Sequence, residues 1–157
     1  SMALIDTATG KLLSSHALPA NLHRLSLRHM AVDARGQVWI GGQYEGDLLD
    51  DVPVLARLDD DRGLVSVELE DPVSVALNKY AGSVAISNDG RTLAVTSPKT
   101  GVLVRLDTIT GKTLDMAFAP GTCGVQARRD GFISASETGR FGQASHQRAW
   151  DNHIARV

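Results

Sequence analysis

The stretch YAGSVAISNDGRTLAVTSPKTGVLVRLDTITGKTLDMAF, residues 80–118, decides the fold of this chain. It predicts four strands, because four short segments rich in Val, Leu, Ile and Ala alternate with turn residues. The Asp89-Gly90 and Thr110-Gly111 pairs supply the positive φ that a tight hairpin needs. The stretch is therefore predicted to form one four-stranded antiparallel sheet, with strands at 83–87, 92–96, 102–107 and 112–118.

Two sequence signatures recur on either side of this stretch. One is an apolar run that ends in Asp before a glycine turn, and its aspartates Asp6, Asp59 and Asp107 lie 53 and 48 residues apart. The other is a strand, a glycine turn and a second strand, at 29–42, 83–97 and 124–136. A period of about 40–50 residues is typical of β-propellers. Residues 154–157 are predicted to begin a further copy of the first signature.

Interleaving the two signatures gives strands C-D, two complete A-B-C-D sets, and then A-B-C, with A the innermost strand. The predicted fold is all-β: a partial β-propeller of about three four-stranded antiparallel blades, whose chain starts and ends within a blade. Residues 1–157 are predicted to be a single propeller fragment, in which residues 1–2 are interpreted as a cloning remnant. Since propellers contain roughly four to eight blades, we expect a homodimer that completes a ring of about six.

Composition excludes several classes of partner. The formal net charge is −2 and the isoelectric point is about 6.2, which does not favour nucleic-acid binding. No apolar run approaches the roughly 20 residues that span a bilayer, so no membrane span is predicted. Cys123 is the single cysteine, which rules out an intrachain disulfide.

The repeats place most of the unusual polar residues on one rim of the predicted channel. Strand A begins and strand B ends on this rim, and two segments at 45–51 and 139–152 are predicted to be ordered insertions there that join a B strand to a C strand. The residues predicted to bind a protein or small ligand are Arg28, His29, Tyr44, Glu45, Ser83, Cys123, Glu137, Arg140, Trp150, Asp151, Asn152 and His153. Several have a structural alternative: a hydrogen-bonded structural group for His29, a small buried hydrophobe for Cys123, and a loop anchor for 150–153.

No catalytic set, metal site or cofactor is predicted from these residues. The five histidines have no regular spacing and no cysteine pair beside them, so convergence of His29 with His153 and an acidic residue is a weak signal. Ser83 lacks the Gly-x-Ser-x-Gly spacing of a hydrolase nucleophile. The first hypothesis is a non-catalytic binding or scaffold module. The alternative is a propeller enzyme with a metal or redox site in the channel that uses His29 and acidic rim residues.

Four segments resemble a bacterial propeller family classed as domain of unknown function 1513. They are GGQYEG at 41–46, YAGSVAISNDGRTLAVTSP at 80–98, the Cys123-Gly124 pair and WDNH at 150–153. The resemblance covers nearly the whole chain and is to the C-terminal half of such proteins. It implies a periplasmic location, since family members usually begin with a twin-arginine export signal, and a link to iron acquisition through neighbouring genes. The family has no established activity.

Overall fold

The computed structural model describes residues 1–47 and 49–150. The described residues form one two-stranded and three four-stranded antiparallel sheets. The two-stranded sheet, here called the outer hairpin, consists of β1 (Met2–Ile5) and β2 (Leu12–His16). Sheet 1 consists of β3 (Leu25–Val32), β4 (Val38–Tyr44), β5 (Leu55–Asp59) and β6 (Gly63–Val67). Sheet 2 consists of β7 (Ser83–Ile86), β8 (Thr92–Ser97), β9 (Val102–Asp107) and β10 (Thr113–Phe118). Sheet 3 consists of β11 (Thr122–Arg128), β12 (Gly131–Ser136), β13 (Arg140–Phe141) and β14 (Ala144–Ser145).

The sheets pack face to face in chain order. Met2 of the outer hairpin packs on Ile40 of sheet 1. The largest apolar cluster joins sheets 1 and 2, and it includes Trp39, Leu55, Leu93 and Leu106, all at most 1% exposed. A smaller cluster of Ala85, Ala94 and Val125 joins sheets 2 and 3. Because β7 contacts both of the other first strands, β3 and β11, the sheets are arranged as blades around an axis.

Gly41 in β4 allows sheets 1 and 2 to approach closely. A Cβ atom at this position would lie 2.8 Å from Cγ1 of Val84 and 2.9 Å from Cβ of Ala81. Side-chain carbons do not normally approach so closely, so only glycine fits without a shift of one sheet. The backbone N–H of Ala81 donates to the carbonyl of Gly42 at 2.9 Å, which joins the two sheets beside this contact.

The strands within 80–118 confirm the predicted fold class. The third predicted strand matches β9, and the other three differ from β7, β8 and β10 by one residue at one end. The turn after β9 shows why this sequence is a hairpin. The Asp107 carboxylate accepts the backbone N–H groups of Ile109 and Thr110 at 2.9 and 2.7 Å, and Gly111 has a φ of 73°. Local hydrogen bonds and a left-handed glycine therefore fix this turn.

Two elements differ from the sequence-based prediction. β3 begins at Leu25 and not at His29, because Leu25 is buried and pairs with Tyr44. Helix α1 (Asp71–Leu77) was not predicted. A short 3-10 turn at Ala20–Leu22, before β3, was not predicted either. α1 has a proline in its first turn and contacts β8 and β9. No helix in the described ranges is long and apolar enough to cross a membrane.

The segment 139–152 was predicted to be an insertion on the rim, but part of it extends sheet 3. Phe141 of β13 pairs with Ala135 of β12, and the N–H of Gly142 donates to the carbonyl of Ser134 at 2.8 Å. Gly139 and Gly142 both have positive φ, which lets the chain fold back into this short hairpin. The strand predicted at 154–157 lies outside the described residues.

Candidate functional site

The acidic loop, residues 45–47 and 49–51, follows β4 at the predicted rim and is held by Lys79. The Lys79 Nζ donates to the backbone carbonyls of Asp47, at 3.0 Å, and Asp50. The same ammonium lies 5.7 Å from the centroid of the Tyr44 ring, and the Tyr44 hydroxyl donates to the Asp50 carboxylate. This hydrogen bond raises the pKa of Tyr44. Charged hydrogen bonds and a cation–π contact thus fix the shape of an exposed loop.

Lys79 is placed for this role by the unusual end of α1. Asn78 and Lys79 both adopt left-handed backbone conformations, with φ of 45° and 59°. Non-glycine residues in this region carry strain of about 1 kcal/mol or more, and surrounding contacts must hold them there. The contacts are present: the N–H of Tyr44 donates to the Lys79 carbonyl at 3.0 Å, and the Asn78 N–H donates to two carbonyls of α1. The end of the helix therefore aims Lys79 across the acidic loop.

Leu49 projects from the acidic loop and is 92% exposed. Its backbone N–H donates to the Asp47 carboxylate at 2.9 Å, so its position in the loop is defined. Asp50 and Asp51 follow it, and both are exposed. Leu49 is therefore an exposed apolar side chain on an acidic loop whose shape is fixed.

Arg28 and His29 both lie in β3. Arg28 forms a 2.6 Å ion pair with Glu45, another of the residues predicted to bind a ligand or partner. Both side chains are more than one third exposed, so the pair contributes little to stability. Arg28 also lines a cleft of about 220 Å³ between the outer hairpin and sheet 1. His29 pairs with Gly41 in the middle of β3 and is half-buried.

Ser83 and Cys123 join sheets 2 and 3 and lie away from solvent. Both residues are buried. The Ser83 Oγ accepts the N–H of Val125 at 3.4 Å, and the hydroxyl of Thr96 donates to the Cys123 carbonyl at 2.6 Å. The Cys123 thiol lies 3.2 Å from the Gly121 carbonyl. The hydrogen bonds of the Ser83 hydroxyl and of the Cys123 carbonyl therefore join sheet 2 to sheet 3.

The remaining predicted residues belong to sheet 3. Glu137 and Arg140 are exposed beside the end of β12. Trp150 is half-buried, and its indole N–H donates to the Gly139 carbonyl at 3.2 Å. Its ring packs 5.6 Å from Phe141. The predicted residues Asp151, Asn152 and His153 lie outside the described part of the chain. The structure thus divides the predicted rim into an exposed group on sheet 1 and another on sheet 3.

The described residues contain no group of three His, Cys, Asp or Glu side chains arranged to hold a metal ion. The pKa of Asp59 falls to about 2 because the Arg62 guanidinium donates to its carboxylate. Asp59 ends β5 in a turn that lies at the opposite end of the strands from the acidic loop. This ion pair belongs to the turn chemistry of the repeat.

Sequence analysis did not single out Asp33, which is buried at the turn between β3 and β4. Its carboxylate accepts the N–H groups of Arg35 and Gln37, at 2.9 and 3.0 Å, and the indole N–H of Trp39 at 3.3 Å. The Arg35 guanidinium donates to it at 3.0 Å and also to the carbonyl of Thr108 in sheet 2, at 2.7 Å. Asp33 therefore organises a contact between two sheets. The sequence signal that could have indicated this role is the position of Asp33 itself, two residues before Arg35-Gly36.

Lys79 was also missed, because its partners are distant in sequence. We expect Lys79→Met to loosen the acidic loop and to leave the global free energy of unfolding within about 1 kcal/mol of wild type. The Asp50 N–H donates to the Asp47 carbonyl at 3.3 Å, so its amide hydrogen exchange should accelerate at least tenfold. Lys11→Met, at an exposed turn, is the control. Unchanged exchange at Asp50 would show that Lys79 does not hold the loop.

The blades arranged around an axis define the chain as part of a β-propeller, and solved structures share this fold. Regucalcin from Agrobacterium tumefaciens, described as a calcium-binding protein, matches with a TM-score of 0.62 and 18% identity over 88% of this chain and 48% of its own. The β-propeller domain of Cps50 (Swd1) from Myceliophteria thermophila matches with a TM-score of 0.57 and 14% identity, over 84% and 42% of the two chains. Streptogramin B lyase matches with a TM-score of 0.56 and 16% identity, over 91% and 46%.

The chain belongs to the family described as Protein of unknown function (DUF1513), whose model matches residues 1–157. A search of curated proteins found no match. The chain spans less than half the length of the solved propellers named above. At these identities the likeness to them establishes the fold and not a shared activity.

Proposed function

We propose that this chain is a binding module of a propeller protein, and that the acidic loop contacts a partner protein. The observation that carries the proposal is Leu49, an almost fully exposed apolar side chain on a loop fixed by Lys79. A loop that is already ordered loses little conformational entropy when a partner binds. This surface is therefore prepared for association.

The charges of the loop indicate the chemistry of the partner. Glu45, Asp47, Asp50 and Asp51 flank Leu49 in the sequence. Arg28 pairs with Glu45 and the Lys79 ammonium lies within the loop, so the loop keeps a net negative charge. A complementary surface has basic side chains around an apolar pocket that receives Leu49. Charge complementarity of this kind accelerates association at low ionic strength.

The setting of this interaction is also part of the proposal. The resemblance to the family supports a periplasmic location and a link to iron acquisition, and we therefore propose that the partner is a periplasmic protein of that system. In the same binding-module hypothesis, the alternative to a partner protein is a small ligand bound at the rim. No observation on residues 1–47 and 49–150 favours the enzyme alternative based on His29.

We expect Leu49→Asp to weaken partner binding at least tenfold, because a carboxylate is costly to bury in the apolar pocket that would receive Leu49. Wild type, Leu49→Asp and the control Val75→Asp would be used as baits in periplasmic extract. Val75 lies on α1, is 76% exposed and is distant in sequence from the loop. The dissociation constant of each bait for the purified captured protein would then be measured by calorimetry at low and high salt.

The proposal predicts a protein that is retained by wild type and by Val75→Asp, is lost with Leu49→Asp, and binds more weakly as salt rises. Equal capture by all three baits would show that the acidic loop is not the contact surface. Binding that is insensitive to salt would contradict the basic character proposed for the partner.

A second part of the proposal is that two copies of the chain associate. Ile5, Leu12 and Leu13 of the outer hairpin are 56%, 62% and 66% exposed, and Phe118 on β10 is 77% exposed. Exposed apolar side chains on the outer hairpin, at one end of the array of sheets, and on the edge strand β10 favour association with a second copy. Light scattering of the wild-type chain over a range of concentrations tests this association directly.

A further inference from the structure

Arg57 and Arg105 occupy the same place in sheets 1 and 2. Arg57 lies in β5, two residues before Asp59, and Arg105 lies in β9, two residues before Asp107. Each arginine belongs to the third strand of a four-stranded sheet, and each lies opposite a residue of the fourth strand. The surroundings of the two guanidinium groups can therefore be compared position by position.

The residue opposite the arginine differs between the two sheets. Arg105 lies opposite Asp115 of β10, and its guanidinium donates to both carboxylate oxygens, with Nε 2.7 Å from one of them. Arg57 lies opposite Val65 of β6, whose side chain has no acceptor. A guanidinium and a carboxylate match each other through two parallel hydrogen bonds. Sheet 2 contains both halves of this match, whereas sheet 1 contains only the guanidinium.

Arg57 also has no close acceptor elsewhere in the described ranges. Its one ion pair there, with the Asp59 carboxylate, is 3.9 Å long, which is beyond hydrogen-bond distance. That carboxylate already accepts the Arg62 guanidinium at 2.8 Å and the Arg62 backbone N–H at 3.1 Å. The Arg57 side chain is 33% exposed, so its charge is screened less than that of a fully solvated arginine. Its hydrogen-bond donors are thus available to a ligand.

Arg57 lines a cleft of about 200 Å³ between sheets 1 and 2. Val67 and Glu68, at the end of β6, line it from sheet 1, and the turn residues Thr110 and Gly111 line it from sheet 2. Glu68 is exposed, and among the described residues no ion pair joins it to Arg57. The cleft therefore presents one positive and one negative group that do not neutralise each other directly.

We propose that this cleft binds a small zwitterionic ligand with the chemistry of a free α-amino acid. The ligand's carboxylate takes the place at Arg57 that Asp115 takes at Arg105. Its ammonium group lies toward Glu68, which disfavours a second negative charge on the ligand. The cleft shares no residue with the acidic loop, so this inference goes beyond the proposed partner contact and can succeed or fail independently of it.

L-Alanine and propionate are the probes, because they share a carbon skeleton and differ by the ammonium group. Two-dimensional NMR of the nitrogen-labelled chain follows the Nε–H of Arg57 and the backbone amides of Val67 and Thr110. The expected result is a saturable shift of these signals with L-alanine, with a dissociation constant at least fivefold below that of propionate. Glu68→Gln should remove most of this difference and leave propionate binding in place.

Two further variants test the role of Arg57, and a third is the matched control. Arg57→Met should raise the dissociation constant for L-alanine at least tenfold. Val65→Asp should have the same effect, because it places a carboxylate directly opposite Arg57, close enough for the two side chains to meet. Arg105→Met, at the matching position outside the cleft, should leave the dissociation constant unchanged.

Signals of Arg57, Val67 and Thr110 that do not saturate by roughly 50 mM L-alanine, far weaker than a millimolar site, would overturn the inference. Wild-type affinity in Val65→Asp, with circular dichroism showing that the sheets are retained, would overturn it as well. Equal dissociation constants for L-alanine and propionate would overturn the zwitterionic character of the ligand.

Discussion

Leu93→Ala is expected to destabilise the chain by about 3 to 4 kcal/mol, the range for a fully buried leucine whose neighbours cannot collapse into the space. Leu93 is completely buried in the cluster between sheets 1 and 2, together with Trp39 and Leu106. Two sheets pack through this cluster, so neither can move to fill the cavity without disturbing its own hydrogen bonds. Urea unfolding followed by circular dichroism, at one fixed protein concentration, measures the change.

Val75→Ala is the control for this substitution. Val75 is 76% exposed on α1, and its truncation should change the free energy of unfolding by less than about 0.5 kcal/mol. A loss below about 1 kcal/mol for Leu93→Ala would mean that the sheets do not depend on this cluster. A change of slope with urea concentration would instead indicate that the sheets unfold separately.

Asp33→Ala should cost about 3 kcal/mol, because it removes a buried carboxylate that accepts several hydrogen bonds at once. The backbone N–H groups of Arg35 and Gln37 and the buried indole N–H of Trp39 would lose their acceptor, at roughly 1 kcal/mol for each hydrogen bond. The Arg35 guanidinium would also lose the carboxylate that directs it to Thr108. Asp60→Ala, at an exposed turn position, is the matched control and should be nearly neutral.

Asp33 also gives a prediction for pH. Burial raises the pKa of its carboxyl group, but the hydrogen bonds from Arg35, Trp39 and Gln37 outweigh burial and hold the pKa below the ordinary value of 3.8. A carboxyl group with a lowered pKa in the folded state contributes stability above about pH 4, and the contribution is lost as pH falls through the folded pKa.

The pH test compares wild type with Asp33→Asn, since asparagine keeps the shape and cannot ionise. The difference in free energy of unfolding should be largest near pH 6 and should shrink below pH 4, roughly the unfolded pKa of aspartate. The comparison is necessary because Asp6, Asp59, Asp89 and Asp107 also have lowered pKa values. A difference that stays constant down to pH 2.5, well under that unfolded value, would contradict this role.

The fold was predictable because its determinants are local and repeated. The aspartate and glycine turns are built by hydrogen bonds within three residues, such as Thr110 to Asp107, so they are visible in the sequence. Trp39, which lies between Val38 and Ile40 in β4, packs between sheets 1 and 2. α1 was missed because Val73, Val75 and Leu77 alternate as in a strand. Pro72 and the packing of Val73 and Leu77 favour the helix instead.

The candidate site was less predictable because its contacts span the chain. Tyr44 and Glu45 were predicted at the rim, and Glu45 does pair with Arg28. Lys79, which fixes the acidic loop, bonds to residues 29 and 32 positions away and follows a helix that no pattern indicated. Ser83 and Cys123 were assigned to the rim by repeat spacing, but spacing does not reveal burial. Side-chain burial depends on the neighbouring sheet, which only the tertiary structure supplies.

The glycine at position 41 also bears on how strongly the array curves. The tilt between adjacent blades determines how many of them fit into a closed circle, and that tilt depends on how near their inner strands can come. A methyl group at this position would already collide with Val84 and Ala81. A single hydrogen atom in place of a side chain thus helps to set the circumference of the ring, and a larger residue would wedge the first two blades apart.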